Sequence, residues 1–128
     1  MAKKEESLSK SISSYLKLKY PGVVFTCDAS GVRLNMGQAT ALKAQRSVHK
    51  IPDMIILHPN GEYHGLILEL KTEESSPFLK DGRLSAVKHI QEQNQTLTIL
   101  LNLGYYAVFA VGFNHAKKII DDYMSQKL

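Results

Sequence analysis

Residues 51–71 have the sequence IPDMIILHPNGEYHGLILELK, and this stretch decides the fold. Two apolar segments, residues 52–58 and 63–71, flank a Pro-Asn-Gly-Glu sequence. The Asn-Gly pair is typical of a turn between two strands, so we expect an antiparallel hairpin. The centre of the second segment is apolar at consecutive positions, which indicates an interior strand that is covered on both faces.

The sequence on either side of the hairpin predicts further helices and strands from its apolar spacing and its Pro and Gly positions. The expected helices cover residues 5–20, 38–46 and 85–103, the last of these ending at Gly104, and a final helix has Asn114 at its N-cap. The expected strands cover residues 23–27 and 105–113. Helices and strands in this order predict an α/β fold, with a mixed sheet and helices on its faces.

Length and composition limit the classes of protein that the chain can represent. A chain of 128 residues has the usual size of one domain, and we expect a single domain over residues 1–128. The single cysteine, Cys27, excludes an intrachain disulfide and favours a reducing, cytoplasmic location. The opening sequence MAKKEESLSK lacks the apolar segment of a signal peptide, and no apolar run approaches the ~20 residues of a membrane span. We therefore expect no leader and no membrane contact.

The net charge of +4 is unevenly distributed along the chain. Residues 1–50 contain nine Lys or Arg and three acids, whereas residues 51–128 contain seven and nine. This division fits an enzyme that acts on a polyanion with metal ions, although chance also produces it. The basic residues that flank the hairpin are either phosphate contacts or solvated surface residues, namely Lys43, Arg46, Lys50, Lys80, Arg83 and Lys88.

The hairpin also brings acidic side chains together. Asp53 begins the first strand, and Glu69 and Lys71 share one face of the second, so Asp53 is expected to lie opposite them. Two carboxylates and the backbone carbonyl of Leu70 are suitable ligands for Mg²⁺, which also lowers the pKa of a bound water. With Lys71 beside this water, the arrangement predicts metal-assisted hydrolysis of a phosphodiester. The alternative is a turn aspartate and a cross-strand charge pair.

Two further polar residues are candidates for this site. Gln93 falls on the apolar face of the long predicted helix, where it either bonds Lys71 or a metal-bound water, or reaches solvent at the helix edge. Glu5 leans toward the inward face of the first helix, where it either completes the metal site or complements the helix dipole. The five histidines show no H-x-x-x-H pairing, which argues against structural zinc.

Taken in order, these residues resemble the virus-type replication-repair nuclease (VRR-NUC) family, a branch of the PD-(D/E)xK nucleases. The segments that carry the resemblance are Tyr20-Pro21, the stretch from Ser30-Gly31 through Gly37, Pro52-Asp53, Glu69-Leu70-Lys71, Lys80 to Ser85, Gln93 and Gly104-Tyr105. The chain departs from the family at Ile51, where many members have glycine.

The resemblance implies a restriction-endonuclease-like αβββαβ core with a mixed central sheet flanked by helices. It implies Mg²⁺ or Mn²⁺ held by Asp53, Glu69 and the Leu70 carbonyl, with Lys71 as catalytic lysine. Gln93 is then an accessory residue, and Glu5 or Glu6 completes the set.

The resemblance further implies a homodimeric endonuclease that cuts branched DNA, such as Holliday junctions, in a bacterium or a phage-infected cell. Three alternatives stay open. They are a nicking or flap nuclease on simpler DNA, a non-catalytic nucleic-acid-binding module on the same fold, and an RNA-processing enzyme.

Overall fold

A computed structural model describes residues 3–28 and 34–127, so Ser30-Gly31, quoted above, lies outside the described residues. The elements, in chain order, are α1 (Lys3–Lys19), β1 (Phe25–Cys27), α2 (Met36–Ala44), β2 (Met54–Ile56), β3 (Leu66–Lys71), α3 (Lys88–Asn102), β4 (Tyr106–Val111) and α4 (Phe113–Met124). A single 3₁₀ turn at Glu73–Ser75 lies between β3 and α3. This succession of helices and strands confirms the predicted one.

The four described strands form one sheet in the order β1-β2-β3-β4. β1 and β2 are antiparallel, as are β2 and β3, whereas β3 and β4 are parallel and are connected through α3. The β2–β3 register pairs Met54 with Leu68 and confirms the predicted hairpin. All six residues of β3 are buried, which confirms that this strand is covered on both faces.

Helices pack on both faces of the sheet and divide β3 between two cores. One core joins β3 to α1 and α4 through Leu66, Leu68 and Leu70. The other joins it to α3 through Ile67, which contacts the cluster of Ile90, Leu97, Ala107 and Phe109. Because side chains alternate along a strand, Glu69 and Lys71 lie on the α3 face together with Ile67.

The connection between β2 and β3 is anchored to α4 by Asn60, which is buried. Its side-chain oxygen accepts hydrogen bonds from the backbone N–H groups of Glu62 (3.1 Å) and Tyr63 (2.9 Å), and Gly61 follows it with φ +94°. Its amide nitrogen donates to the Tyr123 carbonyl at 3.2 Å. The predicted Asn-Gly turn is thus present, and it lies within a longer connection over residues 57–65.

All four predicted helix starts differ from the structure. α1 and α2 each begin two residues earlier than predicted, at Lys3 and Met36. α3 begins at Lys88 and not at Ser85, because the Ser85 backbone N–H donates to the Pro77 carbonyl at 2.7 Å and stays in the preceding loop. α4 begins at Phe113 with Gly112 as its N-cap at φ +83°, so the prediction of an Asn114 N-cap is wrong. Gly104 follows α3 at φ +99°, as expected.

A cluster around Asp121 joins α1 to α4. Its Oδ1 accepts hydrogen bonds from the hydroxyls of Tyr15 (2.5 Å) and Tyr20 (2.7 Å), and Lys19 Nζ lies 3.2 Å away. Lys117 Nζ lies 3.5 Å from Oδ2. Burial alone raises the pKa of this carboxyl, but the hydrogen bonds from Tyr15, Tyr20 and Lys19 outweigh it and lower the pKa from 3.8 to about 2.

We expect Asp121→Asn to lower the free energy of unfolding by about 2 kcal/mol at neutral pH, because hydrogen bonds to a charged acceptor are lost. Since folding lowers the pKa of Asp121, this stabilisation is fully present at pH values above the pKa of the unfolded state. It disappears as the pH falls from 3.8 toward 2. Urea unfolding of both proteins across this range measures the difference. The control is Asp122→Asn, which removes an outer ion pair with Lys118 and is expected to cost under about 1 kcal/mol. Equal losses in the two variants would contradict the assignment.

Candidate active site

A pocket of about 250 Å³ lies beside the last three residues of β3. Of the seven residues that the sequence nominates for catalysis or metal binding, it brings together six and leaves out Glu6, and it adds two more. Its lining residues are Glu5, Lys50, Asp53, Glu69, Leu70, Lys71, His89 and Gln93. We call it the acidic pocket.

The backbone of three strands fixes Asp53 in the acidic pocket. Asp53 lies one position before β2, and continuing the β2–β3 register places it opposite Glu69. Its Oδ2 accepts a hydrogen bond from the Leu70 backbone N–H at 2.8 Å. Its carbonyl accepts another from the Asp28 N–H, just after β1, at 2.7 Å. Pro52, which has no N–H to satisfy, is fully buried directly before it.

Two of the charged side chains in the acidic pocket are held away from solvent. Glu69 and Lys71 are each only 6% exposed. Burial, a hydrogen bond with Asp53 and the negative charge of Asp53 raise the pKa of the Glu69 carboxyl far above its usual value, while Lys71 and Lys50 oppose this rise. Two adjacent carboxyls in such a site ionise together only when further positive charge compensates them. A divalent cation is one group that would supply such charge.

Gln93 contributes an unusual polar atom to the acidic pocket. Its Oε1 is buried and has no hydrogen-bond partner among the described residues. The predicted bond with Lys71 is therefore not formed here, and the carbonyl oxygen does not reach solvent either. A buried amide oxygen without a donor is costly, so its place in the lining suits a donor that enters the pocket, such as a water.

The donor atoms in the acidic pocket fit the predicted kind of metal. They are carboxylate oxygens of Asp53 and Glu69 and the nearby Leu70 carbonyl, an all-oxygen set of the type that Mg²⁺ and Mn²⁺ prefer. Residues 3–28 and 34–127 contain no cluster of three or more His, Cys, Asp or Glu side chains that could hold a metal. Glu5 therefore lines the pocket without joining the two carboxylates in such a cluster. Glu6 pairs with Lys10 at 3.1 Å.

The six basic residues predicted either to contact phosphate or to be solvated occupy different surroundings. Lys88, at the start of α3, is exposed, and its Nζ lies 3.9 Å from Glu92 Oε1. Lys50 lines the acidic pocket, and Lys43 is exposed on α2. Arg46 Nη2 donates to Asp28 Oδ1 at 2.7 Å, and the Asp28 side chain is only 8% exposed. Lys80 and Arg83 are exposed on the segment between β3 and α3, outside the pocket lining, and Arg83 pairs with Asp81.

His89 is a site residue that the sequence analysis did not nominate. It lies in the first turn of α3 and lines the acidic pocket. The signal was its spacing, because it precedes Gln93 by four residues and the two therefore share a helix face. Weighing the histidines only as zinc ligands overlooked that spacing.

Comparison with solved structures finds the same fold in a protein described as "VRR_NUC domain protein". The two superpose with a TM-score of 0.67 over 94% of this chain and 88% of the other, at 21% sequence identity. No family model matches the sequence, and no curated protein matches it. The chain thus has the fold of a VRR_NUC domain, which confirms the fold that the resemblance implied.

None of the helices in residues 3–28 and 34–127 is both long enough and apolar enough to cross a bilayer.

The contact between Arg46 and Asp28 leads to a prediction about metal binding in the acidic pocket. Asp28 also holds the Asp53 carbonyl, so we expect Arg46→Ala to loosen Asp53 and to weaken Mn²⁺ binding on the order of tenfold. Calorimetric titration of the DNA-free protein with Mn²⁺ measures this. Lys43→Ala removes an exposed positive charge from the same segment and is expected to leave Mn²⁺ binding unchanged. Equal Mn²⁺ affinity in wild type and Arg46→Ala would show that Arg46 does not support the site.

Proposed function

We propose that the chain is a Mg²⁺- or Mn²⁺-dependent DNA endonuclease that hydrolyses phosphodiester bonds. The observation that carries this proposal is the convergence of Asp53, Glu69, Lys71 and Gln93 on one small pocket. Further support comes from the shared fold with a protein named for a VRR_NUC domain, because the sequence resemblance to that family implies nuclease activity.

Each residue of the acidic pocket has a role in this reaction. Asp53, Glu69 and the Leu70 carbonyl would hold the metal, and the hydrogen bond from Leu70 N–H fixes the direction of the Asp53 carboxylate. A cation held there would polarise the phosphate as a Lewis acid and would lower the pKa of a water. The Lys71 ammonium orients this water or stabilises the negative charge that develops on the phosphate oxygens. The Gln93 Oε1 would accept a hydrogen bond from the water and so direct its lone pair toward phosphorus.

The surface next to the acidic pocket supports a polyanionic substrate. Residues 34–50 contain Lys43, Arg46 and Lys50 and no acidic residue. Lys50 itself reaches the pocket, so it is placed for a phosphate close to the scissile one. Phosphate contacts of this kind provide affinity without reading sequence.

We propose branched DNA, such as a Holliday junction, as the substrate and a homodimer as the active form. Two sites related by a two-fold axis can cut the two strands of a symmetric junction. A nicking or flap nuclease on simpler DNA is the alternative within the same class. A non-catalytic binding module is disfavoured, because binding alone does not require a charged set in which Glu69 and Lys71 are buried and Asp53 is half-buried.

The catalytic assignment predicts that Asp53→Asn and Lys71→Ala each lower the cleavage rate about 100-fold or more, because a ligand or a transition-state charge partner is lost. End-labelled junction, flap and duplex DNA are incubated with Mg²⁺, with Mn²⁺ and with EDTA, and EDTA is expected to abolish cleavage. Asp122→Asn lies on α4 outside the pocket lining and is expected to retain the wild-type rate. Equal nicking by wild type and Asp53→Asn would exclude this site.

The substrate assignment predicts that junction DNA is cut at least about tenfold faster than linear duplex in the same assay. Light scattering is expected to give twice the chain mass of 14.3 kDa. A monomeric mass together with equal rates on flap and junction DNA would favour the simpler nuclease.

A further inference from the structure

A second groove, of about 390 Å³, adjoins the acidic pocket along α3. Residues 48–50 form one side of it and α3 forms the other, and we call it the α3 groove. It shares Lys50, His89 and Gln93 with the acidic pocket. Its full lining is Val48, His49, Lys50, His89, Glu92, Gln93, Gln95, Thr96 and Ile99. A ligand that occupies the pocket therefore has direct access to the groove.

Beyond the end that it shares with the acidic pocket, where Lys50 lies, the chemistry of the α3 groove suits a nucleobase better than a second phosphate. Glu92 places a carboxylate in the lining, which repels a phosphate but accepts a hydrogen bond from an exocyclic amino group. Gln95 adds an amide that both donates and accepts. Val48 and Ile99 are 97% and 40% exposed, so they offer apolar surface to the faces of a flat ring.

The size of the α3 groove limits which nucleobases can enter. Its volume lies near the lower end of the range for small-molecule sites, roughly 300–1,000 Å³. A base inside a duplex is stacked on both faces and paired along its edge, so it cannot leave the helix to fill the groove without losing those contacts. An unpaired base has both faces and its pairing edge available.

We infer that the α3 groove binds an unpaired nucleobase of the strand whose scissile phosphate lies in the acidic pocket. This inference rests on the proposed nuclease function and adds a physical basis for substrate choice. A flap presents unpaired bases beside the branch, and a junction exposes them where the pairs at its branch point open, whereas intact duplex presents none. The α3 groove then selects substrates by the absence of pairing and not by base sequence.

The test uses the full-length protein and flap DNA, with Ca²⁺ in place of Mg²⁺, and measures binding by fluorescence anisotropy. In a series of substrates, a single abasic site replaces each unpaired nucleotide near the branch in turn. We expect one position at which loss of the base weakens binding about tenfold, as is usual when a stacked base is removed. The double variant Gln95→Ala, Ile99→Ala is expected to bind the intact and the abasic DNA equally.

The matched control is Thr98→Ala, Leu103→Ala, which also removes one polar and one apolar side chain from exposed positions at or next to α3. Neither position lines the α3 groove, so the control is expected to keep the tenfold discrimination. Equal binding of all abasic substrates by wild type would overturn the inference. So would undiminished discrimination by the groove variant.

Cleavage of the same DNA in Mn²⁺ separates this inference from the proposed function. If the protein cleaves DNA in a metal-dependent way but does not discriminate among the abasic substrates, the inference about the α3 groove is wrong and the nuclease proposal stands. Absence of both binding and cleavage removes both.

Discussion

The burial of Glu69 beside Asp53 is the constraint on which the rest of this structure depends. Apart from Glu69 and Lys71, the buried positions of β3 are apolar, so the Glu69 carboxyl is stable there only with suitable partners. Lys71 lies on the same face, Asp53 is fixed opposite by the Leu70 N–H, and Gln93 adds an unsatisfied oxygen. Such a costly arrangement contributes little to folding, which supports the proposal that it serves a cation and its substrate.

The two faces of the sheet have different contents: one holds most of the apolar core, and the other holds the candidate active site. The α1 and α4 face holds the larger apolar core and the Asp121 cluster, in which hydroxyl and ammonium donors surround one carboxylate. The α3 face holds a smaller core, the acidic pocket and the α3 groove. β3 serves both faces, because its even-numbered side chains pack against α1 and α4 and its odd-numbered ones face α3.

Local patterns in the sequence were enough to predict the hairpin and the meeting of Asp53 with Glu69. Strand alternation and an antiparallel return are both properties of neighbouring residues, so residues 51–71 contain the necessary information. The start of α3 depends on a contact between Ser85 and Pro77, and the start of α4 depends on the positive φ of Gly112. The partner of Arg46 is also tertiary, because Asp28 lies 18 positions earlier in the chain. Contacts of this kind cannot be predicted from the spacing of apolar residues in a sequence.

Because Asn60 is anchored to α4, the length of the β2–β3 connection sets the register between the two strands. The number of residues between this fixed point and each strand determines which residue of β3 lies across from Asp53. An insertion or deletion of one residue on one side of the anchor would turn either Asp53 or Glu69 to the opposite face of the sheet. The length of this connection is therefore as important for the acidic pocket as the acidic residues themselves. The side chains at its exposed positions, by contrast, are free to vary.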